Sequence, residues 1–123
     1  MYDVANGWGG KSPFGVPCIL VTHRVGDQPD RASGIEFVNG IEAAVKRARQ
    51  IAGDRQVGIG GGASIAQQAL QAELVDELQI HIAPVILEAG RPLFGEFGTR
   101  LQLERARVLD SPFATHIKFR VLK

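Results

Sequence analysis

The sequence predicts an α/β fold in which helices cover a mostly parallel sheet that ends in an antiparallel hairpin. Short apolar runs with strand character alternate with two helical segments from residue 18 to residue 70, as is typical of parallel strands joined by crossover helices. Two further strand-like segments, 101–108 and 113–121, follow near the end of the chain. The turn residues Asp110-Ser111-Pro112 separate them, which indicates a hairpin.

The composition is that of one globular domain spanning residues 1–123. The 123 residues are 45% hydrophobic and 22% charged, enough to bury a core. The net charge of +1 and the lack of a basic stripe argue against a nucleic-acid partner. No apolar run approaches the roughly 18 residues that a membrane span needs. With no secretion signal and a single cysteine, we expect a soluble cytoplasmic protein.

The first third of the chain predicts two strands after an irregular lead-in. Residues 1–15 are rich in glycine with isolated aromatics and predict no regular element. The apolar run Cys18–Thr22 predicts a strand buried on both faces. A polar loop, 24–34, separates it from a second short strand at Ile35–Val38.

A helix is predicted next, because a capping pattern precedes an apolar stripe. Asn39 is placed to cap the first amides and Glu42 to complete the capping box. Gly53 is a suitable C-terminal stop. The stripe recurs at helical spacing through Ile41, Ala44, Val45, Ala48 and Ile51.

The middle of the chain predicts a third strand, a glycine turn and a second helix. The strand covers Gln56–Ile59, and the helix after the glycines has an inner face. A strand is predicted over Leu78–Leu87, with Pro84 interrupting it. A glycine-rich loop, 88–100, leads to the hairpin. The inner face of the second helix consists of Ile65, Ala66, Ala69 and Leu70.

Alternation in the last strand separates an apolar face from a polar one. The polar face carries His116, Lys118 and Arg120. The apolar face carries Phe113, Thr115, Ile117, Phe119 and Val121.

The glycine turn is the strongest candidate for a binding site. Gly60, Gly61 and Gly62 lie between a predicted strand and a predicted helix, where positive φ angles, close approach of a ligand and unpaired amides favour phosphate. Ala63 and Ser64 follow, and Ser64 offers a hydroxyl donor. A tight turn without a ligand is the alternative. The dinucleotide pattern of the Rossmann fold fits poorly, since no acidic residue ends the next strand, and the lysine of a Walker loop is absent.

A second candidate group, Thr22-His23-Arg24, ends the first strand. Ligands of open α/β sheets gather at the carboxyl ends of strands, and an arginine fork suits a phosphate. Three polar residues leaving a strand for solvent are an equally good interpretation.

Other reactive side chains favour structural roles. Cys18 lies in an apolar run and has no activating partner in the sequence. His81 is interpreted as a structural histidine, and no metal-ligand spacing links it to His23 or His116, so no metal site is predicted.

Taken in order, several segments resemble the dihydrofolate reductase-like family, and within it the C-terminal reductase domain of bifunctional riboflavin biosynthesis enzymes. The segments that carry the resemblance are Pro13–Pro17, Val21–Arg24, Gly60–Ser64, Leu74–Leu78, Ile82–Leu87 and Gly90–Phe94.

This resemblance implies α/β/α layers of the dihydrofolate reductase type and an oxidoreductase that uses NADPH in riboflavin biosynthesis. The implied activity is similar to 5-amino-6-(5-phosphoribosylamino)uracil reductase, which transfers hydride to a ribosylamino-pyrimidine and converts its ribose to a ribityl chain. By this resemblance Thr22, His23 and Arg24 approach the adenosine phosphates, and Gly60–Ser64 receive the pyrophosphate.

The sequence also departs from the family. Glu73 and Glu88 stand where glycine is common, and the family's first strand and helix, which supply much of the substrate pocket, have no counterpart here. No catalytic residue is therefore assigned, and a catalytically inactive cofactor-binding or protein-interaction module is the alternative function. Because a missing central strand would expose apolar surface, we expect a homo-oligomer, with a dimer the simplest form.

Overall fold

The computed structural model describes residues 12, 15–29, 31–60, 62–94 and 100–123. Two helices and five strands form within these ranges. In chain order they are β1 (Cys18–Val21), a short 3₁₀ turn (Arg31–Ser33), β2 (Ile35–Val38), α1 (Ile41–Ala52), α2 (Ala63–Gln71), β3 (Glu77–Ile82), β4 (Gln102–Ser111) and β5 (Ala114–Leu122).

The predicted α/β class is confirmed, with both parallel and antiparallel pairing. Strands β1 and β2 form a parallel pair in which Cys18 lies opposite Ile35 and Val21 opposite Val38. Both strands therefore end at the same edge. Strands β3, β5 and β4 form an antiparallel sheet in that order.

The predicted hairpin is also confirmed. Strands β4 and β5 run antiparallel from Gln102 opposite Leu122 to Ser111 opposite Ala114, with a bulge between Arg105 and Arg107. The turn contains Pro112 and Phe113 rather than Asp110 and Ser111, which are the last two residues of β4. Alternating side chains place Ile117 and Phe119 on one face and His116 and Lys118 on the other.

The helices bury the centres of their predicted faces. Ala44 and Val45 are buried on α1, and Ala69 and Leu70 are buried on α2. Helix α1 packs against β1 and α2. The outer end of the predicted stripe is less covered, since Ile51 is exposed.

Residues of β2, α1, α2 and β5 make up the buried core of the described residues. Its apolar members are Ile35, Phe37, Ala44, Val45, Ala69, Leu70 and Val121. Many large apolar side chains elsewhere are exposed, including Ile86, which is fully exposed, and Phe113.

Three local predictions are wrong. Residues 56–59 form no strand, because a strand needs a partner and no described strand pairs with them. Helix α1 has Gly40 as its N-cap with no side-chain cap bond, so Asn39 does not cap it. Strand β1 is half-buried along its length rather than buried on both faces, because only β2 pairs with it.

One predicted boundary is shortened and another is confirmed. Strand β3 ends at Ile82, and the stretch after Pro84 has no strand pairing. Gly53 does end α1, with a φ of 65°, a conformation that glycine adopts without strain.

Much of the predicted lead-in lies outside the described residues. Ser12 is described, and its backbone N–H donates to the carbonyl oxygen of Ser33 over 2.9 Å. Within the described ranges, no helix is long and apolar enough to cross a bilayer.

Candidate functional site

Thr22, His23 and Arg24 lie where the sequence predicts them, directly after β1. The backbone N–H of Thr22 donates to the Val38 carbonyl oxygen over 2.9 Å, which extends the β1–β2 pairing by one residue. The Arg24 N–H donates to Thr22 Oγ1 over 3.3 Å, so the chain turns at this point. His23 is exposed. The turn therefore holds this group at the carboxyl edge of the parallel pair.

The Arg24 side chain rests against an aromatic ring. Its Cζ atom lies 5.5 Å from the centroid of the Phe37 ring, within the range of a cation–π contact. Phe37 is itself buried in β2. The ring beneath the guanidinium limits the positions that Arg24 adopts.

Gln28 fastens the same loop to β2, and sequence reasoning missed it. Its Nε2 donates to the Phe37 carbonyl oxygen over 2.8 Å, and its Oε1 accepts from the Phe37 N–H over 3.0 Å. The same Nε2 also donates to the Val25 carbonyl oxygen over 2.8 Å. The amide thus pairs with β2 as a neighbouring strand would. Its position in a polar loop provides no sequence signal for this role.

The glycine turn is described at Gly60 and Gly62, and Gly61 lies outside the described residues. Gly62 is the N-cap of α2, with extended backbone angles (φ −70°, ψ 162°) and no side-chain cap bond. No acidic residue lies in the first turn of α2. Within the described ranges, the first amides of this nine-residue helix therefore have no capping side chain and no acidic residue in their own turn.

Neither backbone strain nor internal packing requires glycine at positions 58, 60 and 62. The φ angles of Gly58, Gly60 and Gly62 are not positive, contrary to the sequence argument for this turn. A Cβ atom added at any of the three would meet no heavy atom within 4 Å. The absence of side chains leaves open space beside the start of α2.

Ser64 and the rest of α2 are held by polar contacts. Gln68 Nε2 donates to Ser64 Oγ over 3.0 Å, which leaves the hydroxyl hydrogen available to another acceptor. Gln67 Nε2 donates to the Leu93 carbonyl oxygen over 2.9 Å. This contact ties α2 to the loop after β3. Ala63, the first helical residue, is half-buried.

Of the two predicted groups, one lies directly after β1 and the other at the start of α2. Helix α1 contacts both β1 and α2. No hydrogen bond in the described part of the chain joins Thr22 to Gly62 or Ser64. A ligand extended between the two edges would have to bridge them.

Two open clefts occur elsewhere on the described surface. One lies between α1 and Leu74, and the larger, of about 650 Å³, is lined by residues that include Cys18, Gln28 and Arg47. Neither cleft is lined by the Thr22–Arg24 group or by the glycine turn.

In the described part of the chain, two ionisable groups have perturbed pKa values. Burial raises the pKa of the Cys18 thiol, which favours the neutral thiol and agrees with its structural interpretation. The hydrogen bond and charge of Lys123 lower the pKa of Asp76. Lys123 Nζ lies 2.8 Å from Asp76 Oδ1, so this pair joins the start of β3 to the end of the chain.

Comparison with known proteins supplies the family context for this geometry. The model of the RibD C-terminal domain matches residues 19–115. A solved protein of Shewanella sp. PV-4, provisionally named as a riboflavin biosynthesis protein, superimposes with a TM-score of 0.78 at 21% identity. That match covers 98% of this chain and 69% of the other. A search of curated proteins finds no significant match.

Proposed function

This chain belongs to the RibD C-terminal domain family, and from that premise we propose that it is an NADPH-dependent reductase. In this proposal the glycine turn and the start of α2 receive the cofactor's diphosphate. Thr22, His23 and Arg24 receive the phosphate on its adenosine ribose. The substrate would be a phosphorylated ribosylamino-pyrimidine, as the family resemblance implies.

The proposal rests on one observation: neither packing nor backbone conformation within the protein requires glycine at positions 58, 60 and 62. A Cβ added at any of these positions would meet nothing within 4 Å, and none of them needs a positive φ. A bound group that approaches the backbone closely explains the missing side chains. The adjoining helix start favours an anion as that group.

Arg24 is the second contributor to the proposed site. Its guanidinium makes a cation–π contact with Phe37, whose backbone is in turn bound by the Gln28 amide. A planar fork in a restricted position suits bidentate binding of a phosphate. This residue would therefore favour NADPH over NADH.

The nicotinamide would supply hydride to the sugar carbon of the substrate. The protein itself would bind and orient the cofactor. The amides at the start of α2 would hold the diphosphate, and Arg24 would hold the ribose phosphate. Ser64 keeps a hydroxyl hydrogen free to donate to a phosphate oxygen, since the hydroxyl oxygen already accepts from Gln68.

The substitution Gly60→Ala tests the diphosphate site. Its Cβ meets open space in the free protein, so folding should be unchanged within about 1 kcal/mol. The same methyl should obstruct a phosphate and weaken NADPH binding, measured by cofactor fluorescence. Gly90→Ala is the matched control, because its Cβ is also unopposed and its φ is not positive. Equal NADPH affinity in wild type and Gly60→Ala would contradict the proposed site.

The substitution Arg24→Ala tests cofactor choice. We expect it to weaken the binding of NADPH more than that of NADH, because the two cofactors differ by the phosphate that Arg24 would bind. Parallel titrations of both cofactors measure this difference. Equal losses for the two would remove Arg24 from the selectivity argument.

Turnover distinguishes the reductase from the alternative module. Oxidation of bound NADPH by a ribosylamino-pyrimidine supports the reductase. Binding without oxidation would indicate a cofactor-binding module, and absence of binding a protein-interaction module. The exposed apolar side chains of the described residues favour the protein-interaction module as the second candidate.

We further propose a cytoplasmic homodimer. The apolar face of the β3–β5–β4 sheet carries exposed Ile82, Leu103 and Val108. Exposed apolar patches of this kind are commonly covered by association, and two-fold pairing is the commonest form. Sedimentation as a monomer at micromolar concentration would refute the dimer.

A further inference from the structure

The antiparallel pairing of β3 with β5 brings two histidines together. His81 lies directly opposite His116 in the register. Their Nδ1 atoms are 2.6 Å apart, and the ring centroids lie 4.9 Å apart with the planes at 70°. The two residues are 35 positions apart in sequence, so their spacing along the chain provides no sign of the pair.

The contact means that two ring nitrogens face the same point. At this separation one Nδ1 must carry a hydrogen and the other must accept it, because two lone pairs or two hydrogens would repel each other. The hydrogen that fills the gap occupies a position where another electron-pair acceptor, such as a metal ion, could bind both nitrogens.

The surroundings leave the pair accessible. His81 is exposed and His116 half-buried. Leu109 lies opposite His116 on β4, so that side of the pair is apolar and supplies no competing donor. Lys118 lies two residues after His116 on β5 and forms an ion pair with Glu77 at 3.0 Å. Because Glu77 is the first residue of β3, this pair keeps the Lys118 charge away from His81, which lies near the end of that strand.

We propose that His81 and His116 form a two-histidine site for a divalent transition metal such as Zn²⁺ or Ni²⁺. Neutral imidazole is a preferred ligand of both ions. Water would complete the coordination, since no group of three or more histidine, cysteine or acidic side chains in the described ranges is arranged to hold a metal.

Only a small adjustment is needed to bind the ion. Metal–nitrogen distances of about 2.0–2.1 Å place two tetrahedral nitrogen ligands about 3.3 Å apart. Side-chain rotation on an exposed strand surface would open the 2.6 Å contact by less than about 1 Å. The displaced hydrogen moves through solvent from Nδ1 to Nε2 of the same ring, so both rings stay neutral and no net proton is released.

The consequence would be a clamp between two strands distant in sequence. A metal that binds only the folded state stabilises it by mass action. This site is independent of the proposed reductase function, because none of its residues belongs to the glycine turn or to the Thr22–Arg24 group.

Calorimetric titration of the full chain without a histidine tag tests the site, with Zn²⁺ and Ni²⁺ as probes. We expect one saturable site per chain. The substitutions His81→Gln and His116→Gln should each weaken it by roughly tenfold or more, as losing even an outer-shell partner of a ligating histidine costs about 10–100-fold. His23→Gln is the matched control and should bind metal as wild type does.

A second measurement does not depend on the variants. In the wild type, ring-nitrogen NMR signals of His81 and His116 should shift with added Zn²⁺ while those of His23 stay unchanged. Absence of saturable binding, unchanged affinity in both glutamine variants, or shifts confined to His23 would each overturn the site.

Discussion

Gln28 provides the sharpest test of how the loop after β1 is held. Its side-chain amide makes three hydrogen bonds, two to Phe37 and one to Val25. The substitution Gln28→Ala removes all three and leaves the backbone of Phe37 to water. Gln28→Glu is nearly isosteric, but it loses both donated bonds and places a carboxylate beside two carbonyl oxygens.

The expected loss follows from the number and exposure of these bonds. A net hydrogen bond contributes about 0.5–1.5 kcal/mol. Because Gln28 is exposed and water replaces part of each bond, we expect Gln28→Ala to cost about 1–2 kcal/mol in total. With a urea dependence of about 1–3 kcal/mol per molar, the unfolding midpoint should fall by roughly 0.5–1 M. Gln28→Glu should cost at least as much.

Urea unfolding and amide hydrogen exchange measure the two parts of this prediction. The Phe37 N–H donates a hydrogen bond to Gln28 Oε1, so its hydrogen should exchange faster in Gln28→Ala. Gln56→Ala is the matched control, since Gln56 is exposed and outside this network. An unchanged midpoint together with unchanged Phe37 exchange would show that the amide does not fasten the loop.

Three further predictions concern packing, pH and association. Leu70→Ala should lower the free energy of unfolding by about 2–5 kcal/mol, because Leu70 is 3% exposed; a loss below 1 kcal/mol in urea would contradict its place in the core. Lys123→Met should raise the pKa of Asp76 toward its ordinary value, followed by carboxyl NMR titration. Since folding lowers that pKa, the pair stabilises the protein above the unfolded pKa of about 3.9 and loses this effect as the pH falls through the folded value. An unchanged titration would dismiss the pair, which is too exposed to add more than about 1 kcal/mol. Val108→Asp should shift sedimentation from dimer to monomer, because a charge on the apolar sheet face must lose water to be covered; a dimer unaffected by it would place the interface elsewhere.

Local pattern in the sequence was sufficient for the α/β class, the two helices and the C-terminal hairpin. Helical periodicity placed Ala44 and Val45 on the buried face of α1, and alternation separated Ile117 from His116. These features depend on side chains within a few residues of one another. The ordered segments also led to the family, which the match over residues 19–115 supports.

Features that require a partner distant in sequence were not predictable. Residues 56–59 have the apolar pattern of a strand, but no described strand lies beside them. The pairing of Gln28 with Phe37 and the contact of Arg24 with the same ring depend on how the loop folds back onto β2.

The chain's sequence therefore determined its local elements and the chemical groups available to the site, since both depend on neighbouring residues. The tertiary structure decided which of those groups meet. His81 and His116 illustrate the difference, because only the register of β3 against β5 brings their rings together. Register depends on side-chain packing across a whole sheet, which no short stretch of sequence contains.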